Sequence, residues 1–135
     1  MPLDLRAPAR ATLSCVFALI LHPVLAGTPA LAIDGNAEHG REIYHACEDC
    51  HSIDENDVGP LHRGVVGRRA GSVKDYVYSP ELKSSGILWT EAALDRWLTS
   101  PQAMVPGTRM TFLLEDPQQR ADVIAFLKQY AKIEP

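Results

Sequence analysis

Apolar residues recur three and four positions apart in three stretches of the chain, the spacing that places them on one face of an α-helix. The first stretch runs from about Asn36 to Cys50, where Ala37, Gly40, Ile43, Tyr44 and Cys47 share a face behind a capping residue, Asp34 or Asn36. Gly40 has no side chain and lets another backbone come close to that face. Thr90 caps a second helix running to about Ser100, with Ala93, Leu94, Trp97 and Leu98 as its stripe and Pro101 as its stop. The third helix has the clearest start. Asp116 as N-cap, Pro117 at the first helical position and Gln119 at N3 form a capping arrangement. Val123, Ile124, Phe126, Leu127, Tyr130 and Ala131 then supply a broad apolar face. A shorter helix begins with Ser79-Pro80 and ends at Gly86, a residue suited to a left-handed C-terminal position. No alternating run long enough for a strand is present, no repeat is found, and residues 51–75 read as a Gly-rich loop. The expected fold is an all-α domain with long loops, and loops of that length usually wrap something.

A different pattern opens the chain. Arg6 and Arg10 precede an apolar stretch from Ala11 through Ala26, broken near its end by His22-Pro23, and small residues follow up to Ala30-Leu31-Ala32. That order of basic, apolar and A-x-A segments is the signature of an export signal, with cleavage expected after Ala32. The stretch falls short of the roughly 20 residues that cross a bilayer, so it is read as a leader rather than an uncleaved anchor. Cys15 lies inside it, where a lipoprotein cysteine would not, and is discarded with it. Residues 1–32 are therefore expected to be a cleaved signal peptide and 33–135 the working domain, located in the periplasm.

Composition changes the picture in two ways. Loss of the leader removes Arg6, Arg10 and Asp4, leaving 11 basic and 16 acidic residues and a net charge of -5. With no basic run, an electrostatic footprint for nucleic acid is missing. The remaining 103 residues give a marginal apolar core, and a cofactor filling the centre would relieve that shortage.

The chemistry is concentrated in Cys47-Glu48-Asp49-Cys50-His51. Two thiols three residues apart can each add across a vinyl group of a haem, and the adjacent histidine then falls beneath the iron as proximal ligand. A redox dithiol would belong at the start of a helix in a βαβ pattern, which is missing. Zinc would need a second ligand cluster, and only the scattered His39, His45 and His62 remain. Export together with the C-x-x-C-H run favours a c-type haem over both. One axial position would remain. Met104 and Met110 are the methionines left after leader removal, and Met110 follows a Pro106-Gly107 turn that projects its thioether from a loop. Packing alone is the rival role for such a residue.

At this point the chain resembles a known family. The C-x-x-C-H run, Gly59-Pro60-Leu61-His62-Arg63-Gly64-Val65-Val66-Gly67-Arg68, Gly86-Ile87-Leu88-Trp89, Pro106-Gly107-Thr108-Arg109-Met110 and Arg120-Ala121-Asp122-Val123-Ile124-Ala125-Phe126-Leu127 are similar, in that order, to class I cytochrome c. The likeness is greatest to its mitochondrial and bacterial c2-type branch. It implies one haem c, attached through Cys47 and Cys50, with His51 and Met110 as axial ligands. It further implies that the Pro60 carbonyl accepts the second N–H of His51, and that Arg68, Tyr78, Trp89 and Thr108 meet the haem propionates. Gly40 and Phe126, with Tyr44 beside them, match the crossing of the first and last helices, and Phe112 matches an aromatic near the exposed haem edge.

The implied function is a one-electron carrier, not an enzyme. Its partners would be transient redox proteins such as a membrane cytochrome complex, oxidase or dehydrogenase, with no small-molecule substrate and the chain a monomer. Two alternatives are a fixed cytochrome subunit of a dehydrogenase, and a peroxidase or ligand sensor if Met110 does not ligate. A bis-histidine site through His39, His45 or His62 lacks the Pro-Gly projection. The chain also departs from the family pattern. The loop from His51 to Gly59 is shorter than in the mitochondrial proteins, and one residue is missing between Met110 and Arg120. Trp97 replaces a common tyrosine near the methionine sulfur, and Leu82 a common asparagine, so a drier distal pocket with an altered potential is expected. Lys74, Lys83, Lys128 and Lys132 are too few for docking through a lysine ring, and the acidic total suggests a partner with a basic patch.

Overall fold

Local signals start every helix of the computed structural model, which describes residues 33–131. The leader 1–32, with Cys15 and the cleavage position after Ala32, lies outside the described residues, as does Lys132. Asn36 caps α1 (Ala37–Tyr44), its side chain accepting from the backbone N–H groups of Glu38 and His39. Ser79 caps α2 (Pro80–Ser84), and Thr90 caps α3 (Glu91–Thr99). Asp116 caps α5 (Pro117–Lys128). Gly86 follows α2 with φ of 68°, the left-handed conformation expected of it. Outside the helices the described chain is loop, with one isolated bridge pairing Arg69 and Leu88.

Three boundaries differ from the sequence pattern. The first helix does not reach Cys50. It ends after Tyr44, and residues 45–50 form successive turns in which Cys47 N–H donates to Tyr44 O at 2.8 Å and Cys50 N–H to Cys47 O at 3.1 Å. Pro101 stops α3 as expected, yet it also opens a further short helix, α4 (Pro101–Met104), capped by Ser100. The Ser-Pro pair does there what Ser79-Pro80 does at α2. At α5 the cap is Asp116, but its carboxylate accepts from the Gln118 N–H, and among the described residues Gln119 makes no return bond. Gln118 instead reaches Asp34 O and Asp122 Oδ1, both at 2.9 Å.

The core forms where α1 crosses α5. A Cβ on Gly40 would land on the backbone carbonyl of Asp122, so the two helices approach backbone to backbone there. Tyr44 is 2% exposed and meets the Phe126 ring at 5.0 Å between centroids. Leu94, Trp97 and Leu98 of α3 and Val123, Ile124 and Leu127 of α5 complete the buried cluster. Arg120 ties α5 to its surroundings, donating to Asp95 Oδ1 at 2.7 Å, Leu114 O at 2.9 Å and Glu115 O at 2.7 Å. Leu114 N–H also bonds Leu98 O at 2.8 Å, so the C-terminal end of the segment carrying Met110 is anchored from α3 as well.

Asp122, 1% exposed, is the polar member of this crossing. It accepts from Asn36 N–H at 2.7 Å and from Gln118 Nε2 at 2.9 Å, and pairs with His39 Nδ1 at 2.6 Å. Burial alone would push its carboxyl up, but the Asn36 N–H, the His39 ring and the Gln118 amide together hold it below the usual carboxylate value. A depressed carboxyl contributes stability above its unfolded pKa of about 3.9, and the contribution is lost as pH falls through the lower folded value. Asp122→Asn is expected to cost about 2 kcal/mol at neutral pH. Denaturation curves of the two proteins should converge below about pH 4.

Candidate functional site

The turns after α1 deliver Cys47, Cys50 and His51 to one wall of a cavity of 510 Å³. His51 N–H bonds Cys47 O at 2.8 Å and Gly59 N–H bonds Cys50 O at 2.7 Å, which fixes the backbone around both thiols. Neither cysteine is in a disulfide; Cys47 is half-buried and Cys50 exposed. Burial, with the charge of Glu48 behind it, pushes the Cys47 thiol up to about 11. A redox dithiol needs the opposite, a thiol lowered at a helix N-terminus. Among the described residues no three of His, Cys, Asp and Glu group as a metal site.

His51 Nδ1 lies 2.8 Å from Pro60 O, so it carries the proton and donates, leaving Nε2 the unprotonated nitrogen of a ring that lines the cavity. Burial lowers the basicity of this imidazole, partly offset by the Pro60 bond, which keeps it neutral and able to ligate. Gly59 makes room for it. A Cβ there would enter the His51 ring. Gly59→Ala is therefore expected to displace His51 and cost at least about 2 kcal/mol by overpacking. Thermal denaturation checks this: Gly59→Ala should unfold at a lower temperature than wild type.

The opposite end of the sequence supplies Met110. Its carbonyl and that of Thr108 both accept from Gln102 Nε2, at 3.2 and 2.5 Å, and Arg109 donates to Val77 O at 2.8 Å. Gly107, at φ 90°, makes the turn that a side chain would strain. Met110 lines the cavity, and its sulfur accepts from the Trp97 indole N–H at 3.0 Å. This corrects the expectation of a distal pocket stripped of polar groups. Trp97 restores a donor to the sulfur from a larger ring, while Leu82, half-buried at the cavity wall, is apolar as expected.

Every residue that the sequence placed at the site lines this one cavity: Cys47, Cys50, His51, Pro60, Arg68, Tyr78, Trp89, Thr108 and Met110. Arg68 donates to Arg63 O and Leu61 O, both at 2.8 Å, but its buried Nε–H has no partner. Thr108 is buried, and Trp89 packs edge-on against Trp97 at 5.1 Å. The Tyr78 hydroxyl accepts from Val73 N–H at 3.4 Å. Phe112 is 40% exposed at the cavity mouth. Two contributors escaped the sequence pattern. Tyr76 lines the cavity and donates to Val58 O at 2.6 Å. Tyr44, assigned to packing alone, also bonds the ring of His62 at 2.9 Å. His62, which lines the same cavity, is stacked on His51. Neither adjacency in sequence nor helical spacing signals these contacts, because they join loops folded around the cavity.

An all-α domain presenting C-x-x-C-H and a methionine sulfur to one apolar cavity defines a c-type haem protein. The chain belongs to the Cytochrome c family, whose profile matches residues 37–131. It is 45% identical over 97 residues to cytochrome c2 of Rhodomicrobium vannielii, covering 69% of this chain and 78% of that protein. Among solved structures, cytochrome cH from Methylobacterium extorquens superposes with a TM-score of 0.69 at 42% identity, covering 70% of this chain and 99% of that one. Ferricytochrome c2 from Rhodopseudomonas palustris gives a TM-score of 0.68 at 36% identity, covering 70% of this chain and 98% of that one. The family and these likenesses make the chain a class I cytochrome c of the c2 type, a haem-containing electron-transfer protein and not an enzyme. Its cofactor is covalent haem c, and Cys47 and Cys50 fit the attachment motif. The residues present fit that group. A cavity of 510 Å³ is within the usual range for a cofactor site, about 300–1,000 Å³. The buried Arg68 Nε–H, without a partner among the described residues, is a donor that a carboxylate of such a group would satisfy, since a buried donor left unpaired is costly.

Proposed function

We propose that the chain is a diffusing one-electron carrier of the periplasm, with His51 Nε2 and the Met110 sulfur as axial ligands and Cys47 and Cys50 as the thioether links. The single observation behind this reading is that His51 bonds Pro60 through Nδ1, leaving Nε2 as the unprotonated nitrogen of a ring that lines the same cavity as Met110. When bound, haem supplies a one-electron ferric/ferrous couple whose potential depends on ligands, hydrogen bonds and burial. The residues around it do the rest. Pro60 holds the His51 plane, and Trp97 and Gln102 hold Met110, so little rearrangement is needed between oxidation states. Arg68, Tyr78, Trp89 and Thr108 are assigned to the propionates, where buried negative charge needs donors or a cation. Leu94, Leu98, Val123 and Leu127 exclude water from the cavity floor.

The working chain would begin at Ile33, after removal of the leader. Docking would occur at the cavity mouth, where Val58 and Phe112 are exposed near the exposed Glu48, Asp49 and Asp57. Encounters of this kind are small in area and steered by charge, with a membrane cytochrome complex, oxidase or dehydrogenase carrying a basic patch as partner. Raising ionic strength is then expected to slow electron exchange.

The testing experiment combines redox titration with near-infrared spectroscopy of the purified ferric protein. A single one-electron transition, with a sulfur-to-iron band and no rapid peroxide turnover, supports the reading. Five-coordinate high-spin iron that turns over peroxide contradicts it.

A further inference from the structure

His62 is a titratable side chain at the cavity wall that electron transfer, as derived above, does not use. Its backbone is held on both sides: His62 N–H donates to Ser52 O at 2.9 Å, Arg63 N–H to Ile53 O at 2.7 Å, and Val65 N–H to His62 O at 2.8 Å. From that fixed position its ring lies against the His51 ring, 4.1 Å between centroids and 18° between planes. The edge of the ring is fixed in turn. Nδ1 sits 2.9 Å from the hydroxyl of Tyr44, which is itself locked against Phe126 at the α1–α5 crossing.

We propose that His62 is a positioning residue for the axial histidine, setting both the rotation of the His51 plane and the electron density available to it, and thereby the reduction potential. This rests on the reading of His51 as an axial ligand. Pro60 O fixes His51 through a bond in the plane of its ring, and His62 fixes it through contact on the ring face. Together they leave the imidazole no free rotation. The contact also has an electronic consequence. A ligating imidazole gains positive character when iron is oxidised, and a positive group is stabilised by an aromatic face. Among the described residues His62 has Tyr44 as its hydrogen-bond partner and no carboxylate paired with it, and it presents the face of its ring to His51. The stack thus favours the oxidised state, and partners beyond the ligands commonly tune a metal in this way.

The test measures the midpoint potential and the low-spin ferric electron paramagnetic resonance of the holoprotein in wild type, His62→Leu, His62→Phe and Tyr44→Phe. His62→Leu removes ring and hydrogen bond. It is expected to raise the reduced-to-oxidised ratio at fixed ambient potential by about threefold to tenfold, at most about 59 mV for one electron, and to shift the g values. His62→Phe keeps a stacked face and should recover most of the wild-type potential. Tyr44→Phe frees the His62 ring and should move both readouts in the direction of His62→Leu, but less. A His62→Leu protein with wild-type potential and wild-type g values, however much less stable to heat, overturns the proposal. If that variant yields no holoprotein, unchanged values in Tyr44→Phe overturn it instead. Failure of the underlying ligand assignment is visible separately, because wild type itself would then lack the low-spin spectrum of an axial His/Met pair.

Discussion

Met110→Ala is expected to abolish the near-infrared sulfur-to-iron band and to lower the reduction potential. Soft thioether sulfur favours the reduced metal, so its removal favours the oxidised one. A change of more than tenfold in the redox equilibrium is expected, that is, more than about 59 mV. The substitution also strands the Trp97 indole N–H, whose acceptor is the Met110 sulfur, at a cost of about 1–3 kcal/mol in stability. Met104 provides the internal control. It is half-buried against the core and not part of the cavity wall, so Met104→Ala should lose some stability while keeping band and potential.

A larger effect on the fold is expected from Cys47→Ser combined with Cys50→Ser, which prevents covalent attachment. Without it the apolar side chains around the cavity, among them Leu94, Leu98, Val123 and Leu127, lose the surface they pack on, at about 1.5–3 kcal/mol for each one left exposed. A few such losses equal the whole stability of a typical small domain, about 5–15 kcal/mol. The double variant should therefore show no cooperative thermal transition and little helical circular dichroism. A folded, cooperatively melting double variant would mean that the polypeptide core suffices alone.

The helical framework was legible because its signals are local. Asp116-Pro117, Thr90 and Ser79-Pro80 cap where they were expected to, and Gly40 lies where two helices touch. Helix ends were less legible. Nothing in the apolar spacing distinguishes Tyr44, where α1 stops, from Cys47, which shares its face in turns that bring the thiols to the cavity. The four residues of α4 carry no periodicity, and their Ser-Pro start was readable only as the stop of α3. At the site, residue identities followed from motif and resemblance, and the cavity collects all of them. Pairings between loops did not follow. The Trp97 bond to Met110 and the stacking of His62 on His51 depend on three-dimensional closure, which no spacing along the chain encodes.

Mass spectrometry of the purified protein under denaturing conditions tests the central claim most directly, because only a covalent group survives unfolding. The expected mass is that of the polypeptide plus one iron-bearing haem. A mass equal to that of the bare polypeptide would contradict the account.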